Sequence, residues 1–250
     1  MKRELTPPGV FTTPRAPSLD TIRAMTGGSM YGVPVAVVLA AAAVVAGLVA
    51  SAVWRFVLPR LPEPVTDEDK RTYTSLTGRS ETVRVVACTA SAGAASALLA
   101  SPGALPQWLV LATAGVCLAA VDGFTTWLPA RPTRWAWLLM AAALVASGLV
   151  GASWADVLRS LAGAVASGAF YLLAWFITRR GFGFGDVRFV PLIGAATAAT
   201  GWTTWYAGLL FGSLLALAHA LLRIRRHAPG LHPWAPGLLL GSYVALLITT

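Results

Sequence analysis

Five stretches of this chain, residues 24–54, 85–121, 135–155, 160–178 and 189–222, contain no aspartate, glutamate, lysine or arginine. A mostly apolar run of about 18 residues or more without charge is long enough to cross a bilayer. Several such runs in one chain point to a polytopic membrane protein. Composition agrees, because only 12% of residues are charged, about half the share of an ordinary soluble domain. A mean hydropathy of +0.68 excludes intrinsic disorder, collagen and coiled coil. The fold class is all-α.

Proline, glycine and charge cut the runs into spans. The first helix is expected over 34–54, with Pro34 in its first turn, where a missing N–H is harmless. Pro102, Gly103 and Pro106 divide the next run into 83–101 and 107–127. Further spans are expected over 135–152, 157–178, 187–200, 203–222 and 236–249, giving about eight transmembrane helices in one bundle. The domain reading is a flexible extracytoplasmic tail at 1–33, a first transmembrane helix at 34–54, a cytoplasmic polar loop at 55–82 and a transmembrane core at 83–250. The tail carries Pro7, Pro8, Pro14 and Pro17 between Lys2-Arg3 and the first apolar run, which is not the layout of a cleaved signal peptide.

A net charge of +9 raises nucleic-acid binding, but the basic residues sit in short loops rather than along one stripe. With eight spans, one side receives Arg55, Arg60, Lys70, Arg71, Arg79 and Arg84, then Arg131 and Arg134, then Arg179, Arg180 and Arg188, then Arg223, Arg225 and Arg226. That side is expected to be cytoplasmic. Trp54, Trp108, Trp127, Trp135, Trp154, Trp202 and Trp205 fall at expected span ends, as an interfacial belt would. Cys88 and Cys117 lie inside apolar runs without a C-x-x-C pair, so neither a disulfide nor structural zinc is expected.

From Val85 to the last residue there are three acids, Asp122, Asp156 and Asp186. Asp156 lies between two spans and reads as a solvated or capping residue. Asp122 follows Trp108 by fourteen residues, placing it ~21 Å from the outer interface and ~9 Å inside a ~30 Å core. Asp186 precedes Trp202 by sixteen, placing it ~24 Å from the same interface and ~6 Å inside the inner edge. An acid within the hydrocarbon is expensive unless it faces a partner, water or the bundle interior, so it is a functional candidate by default. Two at matched depth suggest a pair.

Paired carboxylates in a low-dielectric cleft share one proton and titrate together. Such a pair can hydrolyse a peptide bond. The ionised member takes a proton from water as it attacks the carbonyl, while the protonated member polarises that carbonyl and then protonates the leaving nitrogen. Neither a metal nor a covalent intermediate is required. Gly181, Gly183 and Gly185 precede Asp186 and permit positive φ and close backbone approach. The expected helix N-terminus at Asp186 favours the anion there, although which carboxylate acts as base stays open.

The residues around both acids resemble those of the type IV prepilin peptidases, GxGD-type aspartyl proteases of the bacterial cytoplasmic membrane. Asp122-Gly-Phe-Thr-Thr-Trp-Leu-Pro129 is similar to the family's first-aspartate pattern, an Asp followed seven residues later by Pro. Gly183-Phe-Gly-Asp186-Val-Arg-Phe189 is similar to its second pattern, G-x-G-D-V-K/R-L, continued by Gly194 and Gly201-Trp202. Pro233-Trp-Ala-Pro236-Gly-Leu-Leu-Leu-Gly241 is similar to its C-terminal segment. The resemblance covers 83–250. It implies catalytic Asp122 and Asp186, a substrate-binding loop of Gly183, Gly185 and Arg188, and structural motif positions Pro129 and Gly194. It also implies removal, on the cytoplasmic side, of the short basic leader from prepilin-like precursors, usually after a glycine and before an apolar helix, with those proteins and membrane lipid as partners and no nucleic acid. Many members carry two C-x-x-C pairs in the first cytoplasmic loop and methylate the new N-terminus with S-adenosylmethionine. Residues 55–84 hold no cysteine, so this chain matches a short form, S-adenosylmethionine enters only if methylation is retained, and no cofactor is implied for proteolysis. Ala130 stands where an asparagine or aspartate commonly follows the motif proline.

Other features have plainer readings. Gly208-x-x-x-Gly212 and Gly237-x-x-x-Gly241 let helices approach closely and are expected to pack within the bundle. His219 fits a hydrogen-bonded residue near the inner interface or a proton path, and His227 and His232 read as loop residues. Arg188 either steers an acidic substrate side chain or snorkels to the interface. The rival functions are a small proton-coupled transporter, in which the acids relay protons, and a non-catalytic pilus-assembly scaffold. No inverted repeat of broken helices supports the transporter. The sequence leaves the precursor and the oligomeric state open.

Overall fold

The computed structural model of the chain describes residues 29, 30, 33–62, 72–179, 182–225 and 232–250. The expectations for the tail at 1–28, the polar-loop residues 63–71 with Lys70 and Arg71, Arg180, Gly181, Arg226 and His227 lie outside the described residues. The chain divides into two units, 1–38 and 39–250. Within the first, Ser29–Met30 (β1) pairs antiparallel with Val33–Pro34 (β2), and Val35 begins a helix.

Apart from those two short strands the described fold is helical. The helices are α1 (Val35–Ala52), α2 (Arg79–Leu99), α3 (Leu105–Thr125), α4 (Ala130–Leu149), α5 (Trp154–Ile177), α6 (Phe184–Thr200), α7 (Trp202–Arg225) and α8 (Ala235–Thr249). Five are long and apolar enough to cross a membrane: α1 with its extension to Arg60, α2, α3, α5 and α7. These are consistent with a multi-pass membrane protein. α6 has 17 residues and α8 has 15, while the 20-residue α4 opens on Arg131 and Arg134. The exterior suits lipid: Leu149, Ile177, Val145 and Leu247 are all more than half exposed, whereas Ser160, Ser167, Thr89 and Thr197 are completely buried.

Most helices begin earlier than the apolar pattern alone suggests. Arg79 and Glu81 lie in the first turn of α2, Arg131 and Arg134 near the start of α4, and Asp156 in the first turn of α5. Charge ends an apolar run without ending a helix. Asp156 belongs to a capping box in which Ser153 Oγ accepts from its backbone N–H and its carboxylate accepts from the Ser153 N–H. It also pairs with Arg159 at 2.8 Å. Arg159 in turn donates to the Ala198 and Ala199 carbonyls at 2.7 and 2.9 Å, tying α5 to the C-terminal end of α6.

The core centres on α6, which is apolar and buried nearly all round, as expected of a helix enclosed by others. Phe189, Val190, Leu192 and Ile193 pack there with Trp108, Leu111, Leu238 and Leu246. Small residues set the spacing. A Cβ on Gly194 would strike Ser167 Oγ and the Gly163 carbonyl of α5. Between α7 and α8, Gly241 lies against the Gly212 backbone and Gly237 against Ala216. The two glycine motifs therefore face each other inside the bundle.

A second apolar cluster joins the end of α1 to α3. Trp54, Leu58, Tyr73, Leu76, Val85 and Val121 are buried together, so part of the expected polar loop at 55–82 is packed structure. Beyond Ala52 the chain widens into a π-turn over Val53–Val57 and tightens into a 3₁₀ turn over Leu58–Arg60. α3 carries its own π-turn, Leu111–Gly115, where the Val116 N–H reaches back five residues to the Leu111 carbonyl.

The tryptophan belt needs correction. Trp54 and Trp108 are fully buried and Trp205 is 9% exposed. Their indole N–H groups donate inward, to Leu76 O at 2.7 Å, Thr200 Oγ1 at 2.9 Å and Ser167 Oγ at 2.8 Å respectively. An indole with an internal acceptor is satisfied in the core and does not need the interface. Trp127, Trp135, Trp154 and Trp202 are exposed.

Candidate active site

Asp122 occupies the last turn of α3. The helix closes at Thr126, a non-glycine residue in the left-handed region with φ 56°, whose N–H returns to the Asp122 carbonyl at 2.7 Å. The chain runs through Leu128 to Pro129, whose extended backbone is the N-cap of α4. Asp122 is thus held between a helix end and a proline-started helix. Its side chain is 4% exposed, and Oδ2 accepts the Ala235 backbone N–H at 3.1 Å. Ala235 is the first residue of α8, so Asp122 caps the positive end of a helix far away in sequence.

Asp186 lies in the first turn of α6, after the N-cap Gly183, and is 5% exposed. Both acids therefore stand at helix N-termini, one at its own and one at a neighbour's. At Asp186 the anion is favoured by its helix dipole. A donated N–H at Asp122 is the more specific stabilisation of charge. Asp186 Oδ1 is buried with no hydrogen-bond partner among the described residues.

The two carboxylates line one cavity of about 200 Å³, together with Thr126, Leu128, Phe182, Gly183, Gly185 and Trp234. Phe182 and Trp234 lie 6.0 Å apart, centroid to centroid. The glycines act through proximity rather than positive φ. Gly183 is extended at φ −65°, and Gly151 is the one glycine with positive φ among the described residues. A Cβ on Gly185 would come within 2.7 Å of Leu128 Cβ, and one on Gly183 within 3.3 Å of Asp186 Oδ2. The motif thus brings the start of α6 against the loop after α3.

The remaining expected site residues lie elsewhere. The Arg188 guanidinium stacks 4.7 Å over the Phe184 ring, and its carbonyl accepts the Trp137 indole N–H at 2.9 Å, away from the cavity lining. Gly194 packs on α5 about two turns farther along α6. His232, read as a loop residue, lines the cavity, and its Nδ1 is buried without a partner among the described residues. No spacing in the sequence pointed to it. Among the described residues no group of three or more His, Cys, Asp or Glu is arranged to hold a metal ion. Both cysteines are free, Cys88 exposed and Cys117 buried.

No family model, no curated protein and no solved structure matches the chain.

Proposed function

We propose that the chain is an aspartyl endopeptidase of the bacterial cytoplasmic membrane, a short-form type IV prepilin peptidase that removes the basic leader of prepilin-like precursors. The observation that carries this reading is the shared cavity of Asp122 and Asp186, two of only three acids in residues 85–250. All eight helices cross or enter the bilayer, with α6 enclosed by its neighbours, and the dyad faces the cytoplasm.

In this reading Asp122 is the ionised member, supported by the N–H it accepts from Ala235. It takes a proton from the attacking water. Asp186 carries the shared proton, polarises the scissile carbonyl and protonates the leaving nitrogen. Gly183, which carries no side chain beside Asp186, leaves room there for an extended peptide. Prepilin-like proteins are the substrates and lipid the surroundings. Proteolysis needs no cofactor, and S-adenosylmethionine enters only if the new N-terminus is methylated.

The test is co-expression with genuine prepilins, with leader removal followed by mass spectrometry. Asp122→Asn and Asp186→Asn should each abolish cleavage while the protein accumulates normally, and chelators should change nothing. A 14 Da increment on the product would reveal methylation. Uncut precursor with the unaltered chain, across several prepilins, would overturn the proposal.

A further inference from the structure

A cavity of about 750 Å³ forms an apolar groove between α2, α3 and α8. It opens outward: Cys88 lies exposed on its wall, and Leu240 is 57% exposed. Its lining on α2 runs from Arg84 to Ala95, ~16 Å along that helix.

Its position relative to the acids says what fills it. Gly123 follows Asp122, and Pro236 follows Ala235, and both glycine and proline line the groove. A Cβ on Gly123 would sit 3.4 Å from Pro236 Cγ. The groove therefore begins immediately beside the Asp122–Ala235 hydrogen bond and extends away from it along the bundle wall. Its floor consists of small side chains, Ala92 and Ala95 on α2 and Ala119 and Ala120 on α3. Small side chains of this kind let a helix lie close against the groove.

We infer that this groove seats the first three turns of the substrate's own apolar helix, so that the peptide bond just before that helix lies over Asp122. The inference rests on the endopeptidase reading for the identity of the occupant. The helix stays in the apolar layer, and only the extended segment before it turns into the cavity. Arg84 is the charged residue of the groove lining.

Disulfide mapping tests this. Membranes holding the Asp186→Asn, Cys117→Ala chain, in which Cys88 is the remaining thiol, are mixed with precursors bearing one cysteine walked through the apolar helix and oxidised with copper–phenanthroline. Crosslinks should recur every three or four positions within the first three turns and vanish with Cys88→Ser. In a separate assay, Ala92→Trp should raise KM for the full-length precursor about tenfold with little change in kcat, the signature of lost uniform binding. Crosslinking at no position, or equally at all, while the unaltered chain cleaves the precursor would overturn the groove assignment and leave the protease reading standing. Periodic crosslinks with no cleavage by the unaltered chain would keep the groove and overturn the protease. A phospholipid retained in native mass spectra and lost in Ala92→Trp, or Cys88–Cys88 crosslinks between two copies, with no precursor captured, would also overturn it.

Discussion

The backbone N–H of Ala235 donates to Oδ2 of Asp122 over 3.1 Å, joining residues 113 apart in the chain. One carboxylate thereby caps α8 and lines the cavity, and substitution can separate the two roles. Asp122→Ala leaves a buried N–H unpaired, a loss of about 1–3 kcal/mol. Asp122→Asn keeps an acceptor oxygen and should recover most of it. Thermal unfolding in detergent should rank the alanine variant below both others; equal midpoints would remove the capping role.

Asp186 behaves differently, because its Oδ1 has no partner among the described residues. Asp186→Asn and Asp186→Leu should unfold at or above the temperature of the unaltered protein while losing cleavage by about 10²-fold or more. Such an exchange of activity for stability is expected where an active site keeps unsatisfied groups. A clear drop in the unfolding midpoint of both variants would mean that Asp186 is structural.

A proton shared between two carboxylates gives a bell-shaped pH dependence. Below the first titration step both acids are protonated and no base remains. Above the second both are ionised and no acid remains. Cleavage of precursor in detergent should peak between these steps, and a rate that levels off at either extreme would exclude the dyad mechanism.

Close helix approach makes two glycines unequal. A Cβ on Gly241 would collide with the Gly212 backbone, whereas one on Gly148 meets nothing within 4 Å. Gly241→Val should destabilise the protein by about 1–3 kcal/mol or more through overpacking, and Gly148→Val should be nearly neutral. Chemical denaturation of the two variants side by side distinguishes them, and equal losses would contradict the close α7–α8 packing.

Arg159 bonds the last carbonyls of α6 from the opposite end of that helix to Asp186. Arg159→Leu should lower stability by about 1–3 kcal/mol by leaving those acceptors unpaired. If the acids carry the chemistry, its effect on kcat should be small, because Asp186 lies at the other end of the helix. A kcat loss comparable to that of an aspartate variant would place Arg159 in the machinery.

Much of the helix order was legible because Pro102, Gly103, Pro106, Pro129 and Gly201 interrupt the apolar runs. Helix starts were less legible: the first turns of α2, α4 and α5 carry charge, and a hydropathy pattern ends where charge begins. The lone acids stood out for the opposite reason, since an acid amid apolar residues is rare. Trp54 and Trp108 misled because an indole looks the same in sequence whether its N–H meets lipid headgroups or, as here, Leu76 O and Thr200 Oγ1. The placement of Trp108 in the core also removes the interface from which the depth of Asp122 was measured. His232 was missed because its place on the cavity wall arises from the way α8 begins against Asp122. The cap on Asp122 was equally hidden, since its donor is a backbone group, common to every residue type except proline.

The π-turn at Leu111–Gly115 acts as a phase adjuster for everything after it in α3. Each residue added to or removed from a helix rotates the following side chains by ~100°. Removing one residue from that turn would carry Asp122 away from Ala235 and swing the acid toward a different helix face. The widened turn therefore sets the azimuth of a carboxylate placed two turns later.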